Sequence, residues 1–178
     1  MSDVLTKAKP GGVPDFAKSS QDLHDALESQ IQEGKPSFFR FKAQLPKLGR
    51  TNVPLASSSK MWITLKTYAH DGENELHAHP NEDHMFVVLQ GRASFRGPKG
   101  EEKTIGRHEG VLLPHGTFYW FKAVTEEPLV MVRVGCAAFE GAGKGKHGRI
   151  NINGKPMPGD SAENKSVKPI MTEEWFGG

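Results

Sequence analysis

The sequence predicts an all-β fold, a double-stranded β-helix or related antiparallel barrel, with one helix before it and an extended tail after it. Three observations carry this expectation. From residue 37 onward, short apolar and β-branched runs recur between breaks of Gly, Pro, Asn and Asp. No helical pattern lies between these runs, so the crossovers that parallel strands require are missing. The chain has 178 residues and one cysteine, enough length for one domain to bury a core without disulfides.

Residues 1–18 mix Gly, Pro and Lys with few large apolar groups and read as a loosely docked arm. A helix follows. Ser19 and Asp22 supply the cap, Leu23, Leu27 and Ile31 form a narrow stripe, and Gly34 with Pro36 ends it. The strands expected are Ser37–Lys42, Lys60–Ala69, His84–Gln90, Arg92–Arg96, Lys103–Ile105, Gly110–Leu113, Thr117–Ala123 and Pro128–Cys136. In the second run Met61, Ile63 and Leu65 share one face, and Trp62, Thr64 and Lys66 share the other. The Gly- and Lys-rich stretch GAGKGKHGR lacks the spacing of a phosphate loop, with no Ser or Thr after its lysines. Trp175 and Phe176 are placed to anchor a tail. The organisation expected is an N-terminal arm and helix (1–36), a barrel (37–140), and a C-terminal loop and tail (141–178) packing on the barrel or on a partner subunit.

Composition narrows the function classes. A net charge of +2 gives no basis for nucleic-acid binding. The single Cys136 lies in an apolar run, which suits a buried inert thiol and a reducing compartment. No apolar stretch approaches a membrane span and the N-terminus lacks a secretory hydrophobic region, so the expectation is a soluble cytoplasmic protein. Both faces of Met85–Leu89 are apolar, and with the long ends this suggests a homodimer.

Chemistry concentrates in one segment. His77 and His79, two apart on an extended chain, point to one side. Pro80, Asn81, Glu82 and Asp83 have turn chemistry that can return the chain and bring His84 to the same point, in phase with Phe86 and Val88. Neutral imidazoles at this spacing form a nitrogen site for Fe, Zn, Ni or Cu. Glu75 and Glu82 read as solvated turn residues, with Glu75 in phase with His77. His115 reads as a rim or turn residue, and His24, His70, His108 and His147 as surface residues.

These residues resemble the cupin superfamily. Its first motif is Gly, five residues, His-x-His, three or four residues, Glu, six residues, Gly. His77, His79, the stretch Met85–Gln90 and Gly91 fit, Gly72 stands one position too close, and His84 takes the place of the glutamate. Counting back from Gly91 and strand phase both favour His84 over Asp83 for that position. The second motif, Gly, five residues, Pro-x-Gly, two residues, His, three residues, Asn, is matched at its centre by Pro114, His115 and Gly116. Gly110 stands four positions before that proline, Tyr119 occupies the last ligand position, and Ala123 that of the asparagine.

The resemblance covers roughly residues 60–136 and implies a cupin or jelly-roll barrel holding one divalent metal ion on His77, His79 and His84. Iron is the first choice, with zinc, manganese or nickel as alternatives. Tyr119 reads equally as a ligand, a proton donor or a core tyrosine. The implied activity is an Fe(II) dioxygenase-type oxidoreductase acting on a small anionic or chelating molecule, with Phe86, Val88, Tyr119, Phe121 and Met61 or Ile63 around the reacting centre. A non-redox isomerase or lyase and a non-catalytic sensing barrel are the alternatives; no nucleic acid or membrane partner is expected.

Overall fold

The computed structural model describes residues 16–139 and 148–178. The distal part of the N-terminal arm, most of the Gly- and Lys-rich stretch and His147 lie outside the described residues. Helix α1 (Ser20–Ser29) begins where expected, with the Ser19 hydroxyl accepting from the Asp22 amide at 3.0 Å. It lies against β2 and buries Leu27.

Among the described residues ten strands follow: β1 (Ala43–Leu48), β2 (Arg50–Ser57), β3 (Met61–Tyr68), β4 (Glu82–Gln90), β5 (Arg92–Arg96), β6 (Glu102–Gly106), β7 (Gly110–Leu113), β8 (Trp120–Ala123), β9 (Leu129–Ala137) and β10 (Ile170–Phe176). They form an antiparallel five-stranded sheet, β2-β3-β9-β4-β7, facing a three-stranded sheet, β6-β5-β8, with a ribbon of β1 and β10 outside. The architecture is a double-stranded β-helix. Gly91, at φ 73°, turns β4 tightly into β5.

Four elements differ from expectation. Ser37–Lys42 makes no strand, and the chain enters the fold at β1 instead. Strands β1 and β2 were hidden by Pro46 and Pro54. Each proline is tolerated because its strand is an edge, with a register shift beside it. The C-terminal tail contributes β10, pairing Phe176 with Ala43 and placing Lys42 over the Trp175 ring.

Two cores result. Between the sheets lie Tyr68, Phe86, Val88, Phe95, Tyr119, Phe121, Leu129 and Met131. Phe121 is fully buried and its ring stands 4.9–5.6 Å from those of Phe95, Tyr68 and Phe86. Truncating it to Ala would cost about 3–5 kcal/mol. Outside the five-stranded sheet, Ala43 and Leu45 cover Leu55, Leu65, Val130 and Val132, with Leu89 and Phe176 packed alongside. The same outer face leaves Met61, Met85 and Leu112 exposed. Among the described residues no helix is long and apolar enough to cross a membrane.

Candidate metal centre

The site stands where an extended segment, residues 77–79, meets the inner face of the five-stranded sheet. His77 exchanges both backbone hydrogen bonds with Tyr119, at 3.1 and 2.9 Å, and Ala78 does the same with Ile150, at 3.0 and 2.9 Å. The chain is thus held as a strand, and alternation turns His77 and His79 to one side. Strand β4 supplies the facing groups. Glu82, His84, Phe86 and Val88 are buried while the residues between them are not. Across the ladder, His84 pairs with Gly135 and Phe86 with Arg133.

Three ligand atoms converge. Glu82 Oε2 lies 2.8 Å from His84 Nε2 and 3.2 Å from His79 Nδ1, and one atom from each of these residues lies within 4.8 Å of the others. The His79 and His84 rings are 4.0 Å apart and the His77 and His79 rings 5.1 Å. His77 Nδ1 donates to the Glu75 carbonyl at 2.7 Å if that nitrogen carries the proton, leaving Nε2 with the lone pair. Burial, followed by nearby positive charge, pushes all three imidazoles toward the neutral form, His84 down to about 3. Neutral imidazole is the form that binds a metal.

Arg133 completes the cluster, its Nη2 standing 2.9 Å from His84 Nε2 and 3.8 Å from Glu82 Oε2. One ring nitrogen cannot donate to the carboxylate and accept from the guanidinium together. His84 Nδ1 and both ring nitrogens of His79 are buried without a hydrogen-bond partner; the approach of His79 to Glu82 is close but off a hydrogen-bonding line. Two ligands about 2.1 Å from one ion, at right angles, stand about 3.0 Å apart. The 2.8 and 3.2 Å separations bracket that value. His79, Glu82 and His84 thus form a donor group that could hold a divalent cation.

The residues singled out from the sequence divide clearly. His77, His79 and His84 come together, with Tyr119 against His77 at 4.6 Å between rings. Tyr119 is also a core residue, 5% exposed, and burial lifts its hydroxyl to about 12. Asp83 faces away and accepts from the His115 amide at 2.7 Å. Glu75 turns its carboxylate to the Leu76 amide and Lys165. His70, His108 and His115 are exposed, whereas His24 borders the cavity mouth. Cys136 is half-buried on the outer face of β9, its thiol raised by burial.

Two expectations are corrected. Glu82 is no solvated turn residue: β4 begins at Glu82, two residues ahead of His84, and the carboxylate is 3% exposed. It shares the phase of His84, Phe86 and Val88, a signal present in the sequence. The lining of β3 also comes from its other face. Trp62, Lys66 and Tyr68 border the cavity, whereas Met61 is exposed and Ile63 packs on the outer core. Arg133, Lys66 and Arg149 were missed as well, although Arg133 interrupts an otherwise apolar strand at an inward position.

Above the donor group opens a cavity of about 1090 Å³, bordered by Trp62, Tyr68, Phe86, Tyr119 and Phe121 among others. A pocket in a β-barrel, bordered by His77 and His79 beside Glu82 and His84, defines the class: a barrel with a candidate metal centre next to a cavity. The profile of the cupin domain family matches residues 64–135. Residues 64–135 are thus a cupin domain, and this segment belongs to the cupin superfamily.

Solved structures are similar at low identity. KdgF from Halomonas sp. is 18% identical, with 57% of this chain and 94% of that one covered at a TM-score of 0.50. The cupin domain of Cnp3 from Schizosaccharomyces pombe is 12% identical over 49% of this chain, at a TM-score of 0.47. This chain spans 64% of that domain's length. A conserved protein with a double-stranded β-helix domain from Klebsiella pneumoniae is 13% identical, covering 69% and 90% of the two chains at a TM-score of 0.46. No curated protein matches the chain.

Proposed function

We propose that this protein is a mononuclear metal enzyme of cupin type that acts on a small chelating organic anion, by oxygenase-type chemistry. The observation that carries this reading is the convergence of Glu82 Oε2 on His84 Nε2 at 2.8 Å and on His79 Nδ1 at 3.2 Å, beside a substrate-sized cavity that His77 and His79 border. His77, His79 and His84 would be the imidazole ligands and Glu82 the carboxylate. Bound there, iron(II) would supply open coordination positions for substrate and dioxygen together.

The surrounding residues have separate tasks. The His77 Nδ1 contact to the Glu75 carbonyl orients that ring. Phe86, Phe121 and Trp62 keep water from the inner end of the cavity. Tyr119, protonated up to about pH 12, donates a hydrogen bond to the bound molecule and does not act as a base near neutrality.

A second reading has its own support. Tyr68 and Tyr119 both border the cavity as neutral phenols. That pair suits proton transfer to a substrate polarised by redox-inert zinc, manganese or nickel, as in an isomerase or lyase. Metal analysis of protein purified without chelator, then oxygen uptake with iron(II) restored and a panel of diketones and catechols, separates the readings. Oxygen uptake supports the oxygenase, and turnover without oxygen supports the second reading. A protein that takes up no divalent ion when supplied overturns both and leaves a non-catalytic sensing barrel.

A further inference from the structure

The cavity carries more positive charge than the donor group accounts for. Among the described residues Lys18, Arg50, Lys66, Arg133, Arg149 and Lys168 border it against one carboxylate, Asp160, although the whole chain has a net charge of only +2. Asp160 is occupied at the rim, accepting from the Ser20 amide at 3.0 Å and lying 3.2 Å from its hydroxyl. Arg50 is spent on the backbone, donating to the carbonyls of Glu73, Gly159 and Asn164. Arg133 belongs to the donor group. Lys18 and Lys168 are exposed, which leaves Lys66 and Arg149.

Their positions are fixed from two sides. Ala78 and Ile150 exchange both backbone hydrogen bonds. In such an antiparallel pair the flanking residues, His79 and Arg149, face one side of the ribbon together. Lys66 projects from the inner face of β3, one step from the Thr64–Arg133 pair. It is 6% exposed, hydrogen-bonds Asn52 Oδ1 at 2.5 Å and lies over the Tyr68 ring. Among the described residues neither cation forms an ion pair with a carboxylate; Asp160 feels the charge of Arg149 but is held by Ser20. Buried charge without a counter-charge is costly. Burial and their neighbouring cations hold Lys66 well below its ordinary value and Arg149 at about 10.

We propose that Arg149 and Lys66 form an anion subsite within the cavity, so that the molecule bound there carries a second anionic group, carboxylate or phosphate, besides its chelating head. The assignment of the head rests on the metal-centre reading; the subsite itself does not need the metal. With no ion pair to a carboxylate among the described residues, the two cations gain a charge-assisted partner from an anionic group on the ligand.

The test uses metal-free full-length protein and calorimetry with inorganic phosphate and with acetate. Wild type is expected to bind at least one of them, and the tighter of the two identifies the group. Arg149→Gln and Lys66→Gln should each weaken binding at least about tenfold, while Lys103→Gln, on exposed β6, should leave it unchanged. With metal restored, glutarate should bind at least about tenfold tighter than butyrate, and Arg149→Gln should abolish that preference. If Arg149→Gln does not fold, phenylglyoxal labelling of wild type provides the readout, with phosphate expected to protect Arg149. No binding of either anion, unchanged binding by Arg149→Gln, or no protection overturns the subsite. Uptake of phosphate without uptake of any divalent ion supports the subsite and overturns the metal-centre reading. Metal uptake without anion binding does the reverse.

Discussion

Glu82 and His84 stand two residues apart on one face of β4, with Glu82 Oε2 2.8 Å from His84 Nε2. The strand's period of two therefore delivers a carboxylate and an imidazole to one point, while Asp83 is turned to His115 on the other side. Glu82→Gln should lower divalent-metal affinity by about 10–100-fold or more. Asp83→Asn should leave it within about twofold. Competition with a metallochromic indicator measures both, and loss of affinity in Asp83→Asn alone would reverse the assignment of the carboxylate.

Acid should weaken the metal-free protein earlier than its carboxylates explain. Burial first, and then Arg133, holds His84 at about 3 instead of 6.5, and burial also pushes His77 and His79 down. Stability rises with pH wherever the unfolded chain binds more protons. Below about pH 6.5 the unfolded imidazole is protonated and the folded one is not. The stabilisation is therefore complete above that pH and is lost as the pH falls toward about 3, by up to about 1.4 kcal/mol per pH unit for one histidine. Urea unfolding in chelator between about pH 7.5 and 5 isolates the imidazoles from the carboxylates, which titrate lower. A flat profile across that range would mean that these rings reach water.

The barrel and half of the site were legible because both are written in period two. Strands β5 and β7 coincide with their expected spans, and the inward phase of His84 with Phe86 and Val88 is visible in the sequence. Glu82 belongs to the same phase but adjoins Pro80 and Asn81, and turn composition outweighed alternation at that point. Strands β1 and β2 were obscured by prolines that only an edge position makes tolerable. The shared side of Arg149 and His79 was not available locally, because it depends on Ile150 pairing with Ala78, far away in the chain.

Tyr119 gives a direct spectroscopic test of how close its hydroxyl comes to a metal. The chain has only two tyrosines, both buried, and burial raises both, Tyr119 to about 12. Folded protein should develop no phenolate absorbance until well above the ordinary value near 10, and unfolded protein should titrate near it. A phenol bound to a divalent ion ionises far earlier. Phenolate absorbance by about pH 9 in metal-loaded protein, absent in Tyr119→Phe, would make Tyr119 a ligand. Without it, Tyr119→Phe should retain metal affinity and lower kcat more than it changes KM.

Gly135 and Trp62 set the floor beneath His84. They face each other across β3 and β9, and a Cβ on Gly135 would overlap the Trp62 indole, whose ring centre lies 6.3 Å from that of His84. The absence of a side chain at Gly135 is what lets the indole lie flat across the strand toward the donor group. Gly135→Ala should therefore cost about 1–3 kcal/mol by overpacking, and by displacing the indole it should also weaken metal binding. In a Trp62→Leu background the indole is gone, so the same substitution should cost less, with a coupling of at least about 0.5 kcal/mol. Unfolding midpoints of the four proteins in the cycle give that coupling. Equal costs in the two backgrounds would show that the strand itself, and not the indole, excludes a side chain at Gly135.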